Sequence, residues 1–172
     1  MSYSKKIGFY VLSVILLFSV QVLYTVNKSL NEVNNEEFQK AKDKIIEAAS
    51  NGDLKTVKKV LKIYPELIKA KRRGGWTLLH VAKNRKLVKY LLEKGADINA
   101  ESNGGSTPLH NYAYKGHKDE VELLLKKGAD LEANRAYGRT PLINAIKLNR
   151  IEVVKVLVKK GANVNATNKQ GR

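Results

Sequence analysis

Few residues in this sequence could do chemistry. His80, His110 and His117 are the three imidazoles of a 172-residue chain that has no cysteine. Thiol nucleophiles, disulfides and cysteine-based metal sites are therefore excluded. The histidines fall 30 and 7 residues apart, never at the i, i+4 spacing of a helical two-histidine zinc site. Asp97 and Asp130 each follow a Gly-Ala pair, where a short acidic side chain reads as a turn former and not as half of a catalytic dyad. Neither a G-x-x-x-x-G-K-[ST] phosphate loop nor a G-x-G-x-x-G fingerprint occurs. The expectation is no catalytic residue, no metal site and no cofactor.

The elements that must position these residues come from a repeat. Gly95, Gly128 and Gly161 each sit in Lys-Gly-Ala-Asp/Asn, spaced 33 and 33 residues apart. Thr107-Pro108-Leu109 and Thr140-Pro141-Leu142 are also 33 apart, and Thr77-Leu78-Leu79-His80 precedes Thr107 by 30. In each copy Thr suits a helix N-cap, and Pro suits the first turn, where its missing N–H costs nothing. Leu109 and Ala113 recur at helical spacing. Gly116 permits a tight turn; Val121, Leu124 and Leu125 give a second helix its apolar stripe; Gly128 ends it in a left-handed conformation. The residues from there to the next Thr must return as an exposed finger.

The period of 33 and the T-P-L-H…G-H…L-L-L-x-x-G-A-D pattern resemble ankyrin repeats. The resemblance covers residues 42 to 172. It implies an all-α solenoid of helix-turn-helix pairs with short β-hairpin or loop fingers: a degenerate cap at 42–73 and repeats at about 74–103, 104–136 and 137–169. It also implies that Thr107, Pro108, His110, Gly116, Gly128, Thr140, Pro141 and Gly161 are scaffold residues. His80 and His110 would make a structural hydrogen bond near a helix start. The stretch at 45–75 keeps Ala48-Ala49, Gly52, Val57, Val60 and Leu61 but ends in Tyr64-Pro65, as a water-facing terminal repeat should.

Three departures stand out. The copy at 77–100 lacks three residues between Ala82 and Lys86, close to one helical turn. A shortened first helix and a local break in stacking are expected there. In the next copy Asn111 and Tyr112 replace an apolar residue and an Ala, and Tyr112 could fill the room left by the deletion. The last second helix, "IEVVKVLVKK", is as apolar as an internal one, so an exposed patch around Val153, Val156 and Leu157 is expected, with self-association as one way to cover it.

Upstream, Lys5 and Lys6 precede an uncharged run from Ile7 to Val26, about the length that crosses a bilayer core. Residues 1–26 read as a transmembrane signal-anchor, with a cleaved signal peptide as the alternative, and 27–41 as a polar stalk. The flanking Lys5 and Lys6, against Lys28 alone before Lys40, place the N-terminus in the cytoplasm. The repeats would then lie on the far side of the membrane, or be secreted after cleavage.

Net charge is +16, a field that favours acidic partners, nucleic acid or anionic membrane, although solvated lysines are the plainer reading. The resemblance puts partner contacts on finger tips and on the exposed side of the first helices. Those positions include Arg72, Arg73 and Trp76; Ser102, Asn103 and Ser106; Arg135, Tyr137 and Arg139; and Tyr114, Lys115 and Lys147. Their mix of cations with Trp and Tyr suits a binding hot spot. The expected function is a non-catalytic, membrane-tethered module binding a protein partner. The alternative is electrostatic binding of nucleic acid or anionic membrane, with nucleic acid the less favoured.

Overall fold

The computed structural model describes residues 3–134 and 138–167, with side chains from residue 20 onward. It comprises two units, residues 1–41 and 42–172. The first lies within helix α1 (Tyr3–Asn51). Its described side chains, from residue 20 onward, are mostly exposed, and Lys40 pairs with Glu36 at 2.6 Å across one helical turn. Among the residues with described side chains, no helix is long and apolar enough to cross a membrane. Most of the 7–26 run expected to do so, residues 7–19, lies outside them.

The second unit begins with the last turns of α1, which bury Ile45, Ala48 and Ala49. It continues through α2 (Leu54–Ile63), a 3₁₀ turn (Pro65–Lys69), α3 (Leu78–Val81), α4 (Arg85–Glu93), α5 (Pro108–Lys115), α6 (Lys118–Lys126), α7 (Pro141–Lys147) and α8 (Ile151–Lys159). The first helices α3, α5 and α7 pack in sequence, as do the second helices α4, α6 and α8. Each pair turns where the repeat pattern requires it. Gly116 closes α5 at φ +80°, and Asn149, 33 residues later, holds the same left-handed turn at φ +55°, a conformation that Asn tolerates better than other side-chain-bearing residues. The second helices differ in their N-caps. Asp53 Oδ1 accepts from Thr56 N at 3.0 Å and Asn84 Oδ1 from Leu87 N at 2.9 Å, satisfying N–H groups that helical bonding leaves open.

Leu109, Ala113, Val121 and Leu124 face inward as expected. Leu79, Leu87, Leu109, Ala113, Val121, Leu124 and Leu157 are fully buried, each of the larger ones contributing about 1.5–3 kcal/mol relative to exposure. At the opposite edge the Gly-Ala-Asp turns form a polar ladder. Asp97, Asp130 and Asn163 each accept a hydrogen bond from the backbone N–H two residues on. Asn99 Oδ1 accepts from Asp130 N, and Glu132 Oε1 from Asn163 N, both at 2.9 Å. Asp97 and Asp130 are thus the turn residues expected.

Four details correct or refine the sequence-based picture. Of the two finger forms expected, hairpin or loop, the described residues show loops: the first finger carries the isolated bridge Lys71–Thr77, and no strand forms among them. Ser102 and Ser106, expected at an exposed tip, are buried, because Ser102 N donates to Ser106 O at 2.9 Å and folds the loop on itself. The expected patch at Val153, Val156 and Leu157 is also buried, because that stripe packs inward; the exposed apolar residues here are Ile146, Ile151, Val158 and Val164. Finally, α3 is shortened to four residues, against eight in α5, yet the stacking does not break.

Tyr112 explains the continuity. It is wholly buried, and its hydroxyl lies 2.9 Å from the carbonyl of Leu79 and 2.8 Å from that of Ala82. One phenolic proton is shared between two carbonyls that the missing turn would otherwise leave open. Asn111 Nδ2 donates to the carbonyl of His80 between them, at 2.5 Å. The two substituted residues therefore replace, from the next repeat, the backbone partners that the deletion removed.

Candidate protein-binding face

The T-P-L-H histidines are built into the scaffold. His80 Nδ1 accepts from Thr77 N at 3.2 Å and lies 2.8 Å from Thr77 Oγ1. Its Nε2 lies 2.8 Å from the Ser106 carbonyl. Since Nδ1 accepts a backbone N–H, the ring proton sits on Nε2 and is donated to the next finger. His110 repeats the arrangement, with Nδ1 toward Thr107 and Nε2 2.9 Å from the Arg139 carbonyl. Burial drives the His80 pKa down to about 4, with the nearby Lys71 ammonium adding to the effect. Both nitrogens of each ring are occupied, so neither imidazole has a lone pair or proton to offer a substrate. In the last repeat Ile143 holds this position and cannot make the link.

His117 lies at the α6 N-cap, its ring centroid 5.9 Å from that of Tyr112, and its buried Nδ1 makes no hydrogen bond among the described residues. Also among the described residues, no three His, Asp or Glu side chains group as a metal site would require.

The face formed by the fingers and first helices has a different character. The first finger closes through Arg72 N–H donating to Trp76 O at 2.9 Å. Its glycines allow close approach: Gly75 has φ +78°, and a Cβ there would stand 2.6 Å from the backbone nitrogen of Asn103. Asn103 N in turn donates to Gly74 O at 2.9 Å, tying the second finger to the first. Trp76 is half-buried and stands edge-on to the His80 ring, with centroids 5.2 Å apart and planes at 83°. Arg72 and Arg73 are exposed beside it.

On the first helices, Tyr114 is 52% exposed, and Lys115 and Lys147 are exposed. The Lys115 pKa is lowered, first by partial burial and then by the positive charge of Arg72. That repulsion links the first finger electrostatically to the end of α5. Arg139 is half-buried, its carbonyl taken by His110. The Tyr114 carbonyl accepts from Arg150 Nε at 3.0 Å, which steadies the α5 end from the following repeat. Thus Arg72, Trp76, Asn103, Tyr114 and Lys115 lie on linked elements, while Arg139 and Lys147 belong to the next repeat. Arg135 and Tyr137 lie outside the described residues.

Sequence reasoning did not find the clamps across repeats. Arg85 donates to the Asp119 carbonyl, and Arg150 to that of Tyr114, with no motif to mark either. Asn111 did carry a signal: a polar residue at an apolar position, directly after a three-residue deletion.

Comparison with known proteins agrees with this architecture. A family model described as ankyrin repeats (3 copies) matches residues 17–102 and 100–168. The chain belongs to the ankyrin-repeat family. It is 41% identical over 75 residues to the potassium channel AKT1 of Arabidopsis thaliana, covering 42% of this chain and 9% of the channel. It is 33% identical over 103 residues to the human ankyrin repeat domain-containing protein 53, covering 56% of this chain and 19% of that protein. The chain therefore spans less than a fifth of either relative. Ankyrin repeats generally bind protein partners.

Proposed function

We propose that residues 42–172 form a non-catalytic module that captures a protein with an acidic surface on the fingers and first helices. One observation carries this reading. Arg72 and Lys115 repel each other across a face that also presents Trp76 and Tyr114. Two neighbouring cations that form no ion pair among the described residues gain from an anionic group supplied by a partner. Trp, Tyr and Arg are the residue types that dominate binding hot spots, and here the scaffold bonds of Trp76, Asn103 and Tyr114 hold them in place before binding. A flexible face would give up more entropy on binding.

We further propose that residues 7–26 tether the module to a membrane with the repeats on the non-cytoplasmic side. The length of the uncharged run and the lysines before it support this. Secretion after signal cleavage is the alternative.

Photocrosslinking tests the binding face. A photoreactive residue at Trp76 or Tyr114 is expected to give the same partner adduct, and one at Lys126 on α6 to give none. A partner adduct from Lys126 alone would overturn the assignment.

A further inference from the structure

A second feature lies on the other helices of the repeats, away from the fingers. A cavity of about 440 Å³ opens between α2, the 3₁₀ turn and α4. Its floor is apolar, from Leu61 of α2, Pro65 and Ile68 of the turn, and the Tyr90 ring of α4. Its rim carries Lys58, Lys62 and Lys94, all exposed. The ammonium groups of Lys58 and Lys94 stand 5.3 and 5.7 Å from the Tyr90 ring centroid, within reach of cation–π attraction.

The terminal repeat creates this site. Where other repeats turn tightly through Gly-Ala-Asp, the terminal repeat has Tyr64-Pro65 and the 3₁₀ turn, which contributes Pro65 and Ile68 to the lining. None of the three lysines has a carboxylate partner among the described residues. Glu93, next to Lys94, pairs with Lys89 instead, at 3.8 Å, and Glu66, on the turn itself, makes no ion pair among the described residues.

We propose that this cavity docks an acidic segment of a partner protein, which seats an apolar side chain against Leu61, Ile68 and Tyr90 and sets carboxylates beside Lys58 and Lys94. Two cations at one aromatic ring leave a charge that a carboxylate between them would neutralise, and the ring and aliphatic floor offer area that only an apolar side chain would use. A concave pocket suits a protruding side chain better than a flat bilayer surface. Three lysines around an aliphatic floor also lack the line of cations and stacking rings with which proteins track a nucleic-acid strand. The site does not depend on the finger face and would stand if that face bound nothing.

Fluorescence anisotropy on the full chain in nonionic detergent tests it. The probe is a fluorescein-labelled peptide, Glu-Glu-Leu-Phe-Glu-Glu. Binding is expected, and it should weaken about tenfold when the glutamates become glutamines, or in a Lys58→Gln/Lys94→Gln double variant. Replacing the peptide's Leu and Phe by Ser should weaken it comparably. The double variant alters exposed side chains, so its thermal melt should match that of the parent. An Arg72→Gln/Lys115→Gln variant should bind the peptide as the parent does. No binding, or equal binding by the Lys58→Gln/Lys94→Gln variant, would overturn the proposal. So would capture of phosphatidylserine vesicles through these lysines without peptide binding.

Discussion

Tyr112 reaches across a repeat boundary to serve carbonyls on another helix, and its stability effect should show that dependence. Burial and the Glu120 charge push the phenol pKa upward, so the hydroxyl stays a donor throughout the physiological range. Tyr112→Phe removes that donor and leaves the Leu79 and Ala82 carbonyls buried without it. It should cost about 1–3 kcal/mol in urea unfolding. Tyr112→Ala adds a cavity and should cost about 3–5 kcal/mol. A raised melting temperature in Tyr112→Ala would contradict the role assigned here. His80 makes a second prediction. Its pKa falls from 6.5 in the unfolded chain to about 4 in the fold. Between those values the unfolded chain binds more protons, so this contribution is complete above pH 6.5 and is lost as pH falls toward 4. The loss should reach about 3 kcal/mol, measured as the difference in pH-dependent stability between the parent and His80→Gln.

At the scale of elements, the coupling between α3 and α5 can be tested by restoring what is missing. Inserting Ala-Tyr-Lys after Ala82 should lengthen α3 and drive its new turn into Tyr112. The insertion alone should lower the melting temperature, and adding Tyr112→Ala should recover much of the loss. Additive effects in that double-mutant cycle would show that helix and side chain are independent. The turn after α5 is equally specific. A Cβ on Gly116 would take a φ of +80° and stand 2.8 Å from Arg150 Cδ. Gly116→Ala should therefore cost about 1–2 kcal/mol by the same melt. Much of this level was legible in the residues. Thr107-Pro108 and Gly116 bracket α5, and the Lys-Gly-Ala-Asp copies end the second helices, because capping chemistry is local. The inward packing of Val153, Val156 and Leu157 was not legible. In a stacked helix the face toward its partner and the face toward the next repeat are both apolar, and only the packing register separates them. Ser102 and Ser106 were misread for a related reason: a polar side chain in a loop carries no mark that its own backbone will bury it.

At the scale of the whole molecule, the face that combines Arg72, Trp76, Tyr114 and Lys115 was half legible. Family positions placed its residues, but the repulsion between a finger and a helix end needed coordinates. The proposed tether has its own test in membrane fractionation with protease protection on a C-terminally tagged chain. The tag should sediment with membranes and resist protease until they are opened from the non-cytoplasmic side; a soluble tag in the cytoplasm would contradict both anchor and export. The central claim, protein capture through the finger face, is tested most directly by nuclease-treated affinity capture with the parent and an Arg72→Glu/Trp76→Ala/Lys115→Glu variant, at low and moderate salt. One protein should be retained by the parent, survive nuclease and moderate salt, and be lost with the variant. Retention equal in the variant, or retention that disappears with nuclease or falls by orders of magnitude with salt as counterion release demands, would contradict the account.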